Sequence, residues 1–108
     1  MALQIQEIPG SREAIRELDD SDQEVRESRS RKAALKAIAR QMAALTDGYN
    51  FTLGYTSEES VAIYVAASAI AKATAAALDR EAAFLDIAKD RQKRANKALN
   101  TMLRKAAM

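Results

Sequence analysis

The chain has no cysteine, no histidine and no tryptophan. Without Cys there is no disulfide framework and no thiolate metal site, which suits a reducing compartment. Without His or Cys the usual activated nucleophiles and bases are missing, and Ser57, Ser60 and Ser68 have no imidazole to activate them. The three glycines stand at 10, 48 and 54, so no glycine loop can cradle a phosphate. The single proline is Pro9. The opening residues 1–7 lack the basic start and apolar core of a secretion signal. The only long apolar run, Val61 to Leu78, is mostly Ala and carries Ser68, Lys72 and Thr74, which argues against a membrane span. An enzyme is not expected, nor a cofactor.

What is present, in 108 residues, is helix-forming sequence with unevenly distributed charge. At this length one domain is the expectation. The net charge is only +2, yet residues 1–24 balance to −5 and residues 25–46 to +5. Residues 47–64 hold three acids and no base, and the remainder balances to +5, concentrated in Lys89, Arg91, Lys93, Arg94, Lys97, Arg104 and Lys105. Alternating acidic and basic blocks can pair between copies. A nucleic-acid binder is more often basic throughout.

The class expected is all-α, with two or three helices, a long Ala-rich C-terminal helix and a short extended aromatic link. Residues 1–10 read as an extended arm closed by the turn signal Pro9-Gly10. Ser11 is placed to cap a short helix from Arg12 to about Leu18. Asp19-Asp20 interrupts it, and Ser21-Asp22-Gln23-Glu24 fits a capping box that opens a second helix at Asp22. That helix runs to about Leu45, with Val25, Leu35, Ile38, Met42 and Leu45 as its apolar residues. Its early part, Arg26 to Lys32, is almost wholly polar. Thr46-Asp47-Gly48 supplies a stop.

Residues 48–55 hold three of the five aromatics and two of the three glycines. Tyr49, Phe51, Leu53 and Tyr55 alternate with Asn50, Thr52 and Gly54, the period of an extended segment. Two roles stay open: the four apolar side chains plug a junction between helices, or the segment adds to the surface of a neighbouring subunit. Thr56-Ser57-Glu58-Glu59 is a second capping box. Nothing from Ser57 to Ala107 obliges the last helix to stop, and ~50 residues at 1.5 Å each would reach about 75 Å. Tyr64, Ala67, Ala71, Thr74, Leu78, Glu81, Leu85, Ala88, Gln92, Ala95, Leu99 and Met102 follow coiled-coil spacing with small knobs. The weaker seam beyond Glu81 is expected to project from the body, and Asp79-Arg80-Glu81 is the place for any break. Residues 1–10 are therefore taken as an arm, 11–88 as the helical domain, and 89–108 as a basic helical extension.

Asp19, Asp20 and Asp22 fit a capping and turn cluster better than a calcium loop, which needs more oxygen ligands. Asp86 and Asp90, one turn apart, lie among Lys89, Lys93 and Arg94 and read as surface ion pairs. No metal is expected. Lys89, Arg91, Lys93, Arg94 and Lys97 cover several helix faces, as contacts to backbone phosphates require, although a solvated helical end is the commoner explanation of such a run. No aromatic platform accompanies them, so any DNA contact would be blind to sequence and sensitive to salt.

The run Ser21-Asp22-Gln23-Glu24-Val25, the segment Ala43-Ala44-Leu45-Thr46-Asp47-Gly48-Tyr49-Asn50-Phe51 and the Ala-rich helix at Ala62 to Leu78 resemble the small head–tail adaptor (connector) proteins of tailed bacteriophages. Many members of that family carry a β-rich insertion where this chain keeps only Thr52 to Tyr55. The resemblance implies a ring, commonly of twelve copies, between the portal and the tail, in a virion assembled in the host cytoplasm. It places Tyr49, Phe51, Leu53 and Tyr55 at contacts between neighbours. It gives the charged tail from Lys89, with Arg91, Lys93, Arg94, Lys97, Arg104 and Lys105, to the portal or to DNA. The alternative is a small helical nucleic-acid-binding protein for packaging or regulation; a plain coiled-coil regulator is a third possibility.

Overall fold

The computed structural model describes residues 8–47 and 56–107. It is all-α, with two helices, α1 (Ser11–Thr46) and α2 (Ser57–Ala107). The aromatic link and its alternation lie outside the described residues.

The turn before α1 follows from Pro9-Gly10. The Ser11 N–H donates to the Ile8 carbonyl at 3.0 Å, and Gly10 has φ of 81°. Pro at the second turn position and a left-handed Gly at the third are the requirements of a type II turn. The Gly10 carbonyl accepts the first helical bond, from Ala14 N–H at 3.1 Å, so Gly10 rather than Ser11 is the N-cap. Ser11 is buried inside the first turn, and its hydroxyl has no hydrogen-bond partner.

The interruption expected at Asp19-Asp20 does not occur, because α1 passes through it unbroken. The capping-box pattern at Ser21 has another use. The Ser21 hydroxyl donates back to the Leu18 carbonyl at 2.8 Å, and the residue is fully buried. Asp19 and Asp20 remain on the exposed side, where helix continuity costs them nothing but propensity. The polar stretch after Arg26 also contributes to the covered face, because Ser28 is fully buried. The covered positions of α1 include Leu18, Ser21, Val25, Ser28, Lys32, Leu35, Ala39, Met42 and Thr46, an unbroken alternation of three and four.

At the start of α2, the Thr56 hydroxyl accepts the Glu59 N–H at 3.1 Å and donates to Glu59 Oε1 at 3.0 Å. The Thr56 carbonyl takes the first helical bond from Ser60. The N-cap half of the expected capping box is therefore formed, and the Glu59 carboxylate closes on the Thr56 hydroxyl. The helix has no break at Asp79-Arg80-Glu81. Of the small-knob seam, every residue from Ala67 to Met102 is buried or half-buried. Tyr64 is the exception at 51 % exposed; Ile63 takes the covered position. A tyrosine keeps its hydroxyl near water at little cost, whereas Ile gains by burial.

The chain divides into two compact units, Ser30–Ala82 and the flanking segments through Arg29 and from Ala83. In the flanking unit the helix segments run antiparallel: Met102 lies beside Gly10, and Leu85 and Ala88 pack with Val25. The portion past Glu81, expected to project, is thus packed on the first half of α1. Its covered side chains Leu85, Ala88 and Ala95 are among the most buried in the chain. In the Ser30–Ala82 unit, Arg31 grips Glu81 Oε1 through Nε and Nη2, each at 3.0 Å, so this acidic seam position is neutralised. Thr74, also buried, returns its hydroxyl to the Ile70 carbonyl at 2.7 Å.

Leu85→Ala is expected to lower unfolding stability by about 2–4 kcal/mol, against roughly 0.5 kcal/mol for the exposed Ile87→Ala. Ser11→Ala removes an orphaned hydroxyl and is expected to be neutral or stabilising by up to about 1 kcal/mol. Urea titration followed by helical circular dichroism measures all three. A costly Ser11→Ala would mean that the hydroxyl has a partner after all.

Candidate functional site

No three acidic side chains among the described residues converge as metal ligands must. The serines most deeply placed, Ser11, Ser21 and Ser28, are fully buried. What the fold offers is surfaces, and two of them are distinctive.

The first is the basic end of α2. After Asp90 the sequence contains no acid, while Lys93, Lys97 and Arg104 recur on one side of the helix. With Asn96, Asn100 and Thr101 they line a shallow depression of about 390 Å³. All three cations are exposed, as are Lys89, Arg94 and Lys105. Arg94 is tied to Asp90 one turn earlier. Long cationic stems beside amide and hydroxyl donors can meet a row of anionic oxygens without any base-specific contact.

Arg91 is set apart from this group. It is half-buried, donates to both carboxylate oxygens of Glu17, with Nη2 to Oε2 at 2.8 Å, and reaches Glu24 through Nη1 at 2.6 Å. The hydrogen bond from Arg91 holds the Glu17 carboxyl below the usual carboxylate range, and Glu17 and then Glu24 raise the guanidinium pKa in return. Beside it Gln92 Nε2 donates to Asp22 Oδ1 at 2.5 Å. Arg91, assigned by sequence to a portal or DNA contact, is therefore spent within the chain, and the acidic block of residues 1–24 is its counterpart. The charge blocks that suggested pairing between copies are partly paired inside one.

The second surface is the side of α2 in the Ser30–Ala82 unit that faces away from its seam. Val61, Ala62, Val65, Ala66, Ala69, Ala73 and Ala76 are all exposed there, Val65 to 61 %. Lys72 is the one charge among them. By length and composition α2 is apolar enough to cross a membrane, a test that a helix awaiting a protein partner also passes. Sequence reasoning concentrated on the inner seam and missed this outer one. Its signal was available in the Ala content of 62–77, which exceeds what a single seam can use.

Of the residues assigned to partners by sequence, Tyr49, Phe51, Leu53 and Tyr55 lie outside the described residues. Lys93, Lys97 and Arg104 share one face, and Arg91 does not join them. Compared with protein-family models, curated proteins and solved structures, the chain matches none.

The Glu17–Arg91 pair makes the flanking unit sensitive to acid. Because Glu17 is lowered in the folded state, its contribution is complete above the ordinary glutamate range and disappears as pH falls through the lowered value. Urea midpoints measured at neutral pH and at progressively acid pH should fall for the parent chain and fall less for Glu17→Gln. Equal slopes would remove the pair from the list of folding contacts.

Proposed function

We propose that the chain is a structural assembly protein, an adaptor that forms a ring between the portal and the tail of a tailed bacteriophage. The observation that carries the assembly half is the outward side of α2. An amphipathic helix of a free-standing protein shows water a polar face, and this one shows Val61, Val65 and a row of alanines. Contiguous apolar surface of this kind supports a life in contact with other protein. The adaptor half is supported by the resemblance in Ser21–Val25, Ala43–Phe51 and Ala62–Leu78.

In this role there is no chemistry and no cofactor. Tyr49, Phe51, Leu53 and Tyr55 serve contacts between neighbours, and the exposed row Lys93, Lys97 and Arg104 faces an acidic portal surface or the DNA passing through it. A second function, a nucleic-acid-binding module, is favoured by one specific feature: the acid-free stretch after Asp90.

Sedimentation of the purified chain, alone and mixed with portal rings, tests the proposal, with inspection of the flanking genes for portal and coat. Oligomers, or a chain that co-sediments with portal, support it; a monomer indifferent to portal overturns it. Changing Tyr49 and Phe51 to Ala should impair assembly more than neutralising Lys93 and Arg94, since truncating a packed aromatic costs ~3 kcal/mol and an exposed charge under ~1. Salt-sensitive binding of duplex DNA without any assembly would favour the second function instead.

A further inference from the structure

The outward face of α2 carries a pattern that a single chain does not use. Its exposed residues Glu58, Ala62, Val65, Ala69, Ala73, Ala76 and Arg80 are spaced four, three, four, four, three and four. The spacing reads the same in both directions from Ala69. All seven lie in the Ser30–Ala82 unit and project from one side of the helix. The termini of the row carry opposite charges, acid at Glu58 and base at Arg80.

We infer that α2 pairs with the α2 of a second copy, antiparallel, about a two-fold axis at Ala69. The proposal rests on the self-association half of the function above and is independent of the adaptor half. In an antiparallel pair centred there, Ala69 meets its own equivalent, Ala62 meets Ala76, and Val65 meets Ala73. Large therefore faces small, and the alanines allow the helix axes to approach to about 8 Å. At both ends Glu58 meets Arg80 of the other copy, so each contact is made twice, as an isologous interface requires. Lys72 falls opposite Ala66, where its stem can lie over the small side chain and its ammonium can reach the rim.

A bilayer satisfies these residues less well. It would take the alanines and valines, but it would also receive Lys72 in the middle of the face. A different protein could cover the alanines, but it has no reason to match both the symmetric spacing and the opposite charges at the two ends. A second copy matches both by construction. An isologous contact closes at two copies, so this pair is the form of the free chain, and growth of a ring must proceed through other surfaces.

The absence of cysteine makes the test clean. Ala69→Cys, under mild oxidation of the full chain, should give a disulfide-linked dimer, because at the axis the two Cβ atoms come to about 4 Å. Ala62→Cys or Ala76→Cys alone should not, since each would lie about 21 Å along the helix from its own equivalent. A mixture of the Ala62→Cys and Ala76→Cys chains should give the heterodimer. Arg80→Glu should weaken dimerisation by roughly tenfold in sedimentation, and the added Glu58→Arg should restore it. Helical circular dichroism on each variant confirms that it folds.

Cross-linking at position 62 or 76 alone, or none at 69 in a sample that sediments as an oligomer, overturns this pairing and leaves self-association standing. A monomer throughout overturns both. Capture of the parent chain by neutral phosphatidylcholine vesicles, with no cross-link at 69, assigns the face to a bilayer and likewise overturns the pairing.

Discussion

A pair of helix segments encloses almost no interior, and that constraint governs each of the two units of the described residues. Among the described residues the side chains buried most completely are serines, and the buried apolar set is dominated by alanine: Ala67, Ala88 and Ala95 beside Val25 and Leu85. Small residues let two backbones come close, which gives dense contact but removes little apolar area from water per residue. The hydrophobic term is correspondingly modest, and the entropy of ordering two long helices is not. A fold of this kind sits near the margin of stability, and any further face that can be covered contributes disproportionately.

A seam of alanines and serines also specifies register poorly, because one small knob is much like the next. The polar contacts supply what the seam lacks. Arg91 holds Glu17 and Glu24 at once, Gln92 reaches Asp22, and Arg31 takes Glu81. As exposed or half-exposed pairs they add little energy singly. Their value is selective: a slip of one helical turn would break all of them and leave half-buried charges facing alanine. The acidic start of α1 and the basic end of α2 are thus a register device within the chain, and of the exposed cations left over, Lys93, Lys97 and Arg104 share one face.

Much of the helical framework was legible in the residues. Thr56 and Glu59 announce the start of α2 because a threonine followed three residues later by glutamate has one strong use when an apolar run follows it. Ser21 and Glu24 show the same spacing and mean something else. There the preceding residues Ile15 and Leu18 already form a seam that continues through Ser21 to Val25, and a serine is small enough to sit inside it. Local pattern could not separate the two cases; the position of the partner helix did. Arg91 was likewise unreadable as an internal residue, since its two carboxylates lie far away in sequence. The exchange of Tyr64 for Ile63 has a related origin. Where a helix is apolar on all sides, periodicity alone does not say which side is covered.

That exchange bears on how α2 can serve two faces. From Ala67 onward its inner seam keeps to a seven-residue repeat, the spacing that winds helices around each other with a left-handed twist. Taking Ile63 in place of Tyr64 turns the steps into four, four and three between Ile63 and Thr74, a single eleven-residue interval. Eleven residues in three turns is 3.67 per turn, close to the ~3.6 of an undistorted helix, so the demand for left-handed winding relaxes there. The outer row has the same eleven-residue period, from Glu58 to Ala69 and again from Ala69 to Arg80. Two seams on opposite sides of one helix conflict if they require different windings. At the Val61–Val65 end, where the outer face is most apolar, the step from Ile63 to Ala67 takes the inner seam out of its heptad and the conflict relaxes; from Ala67 onward the heptad returns.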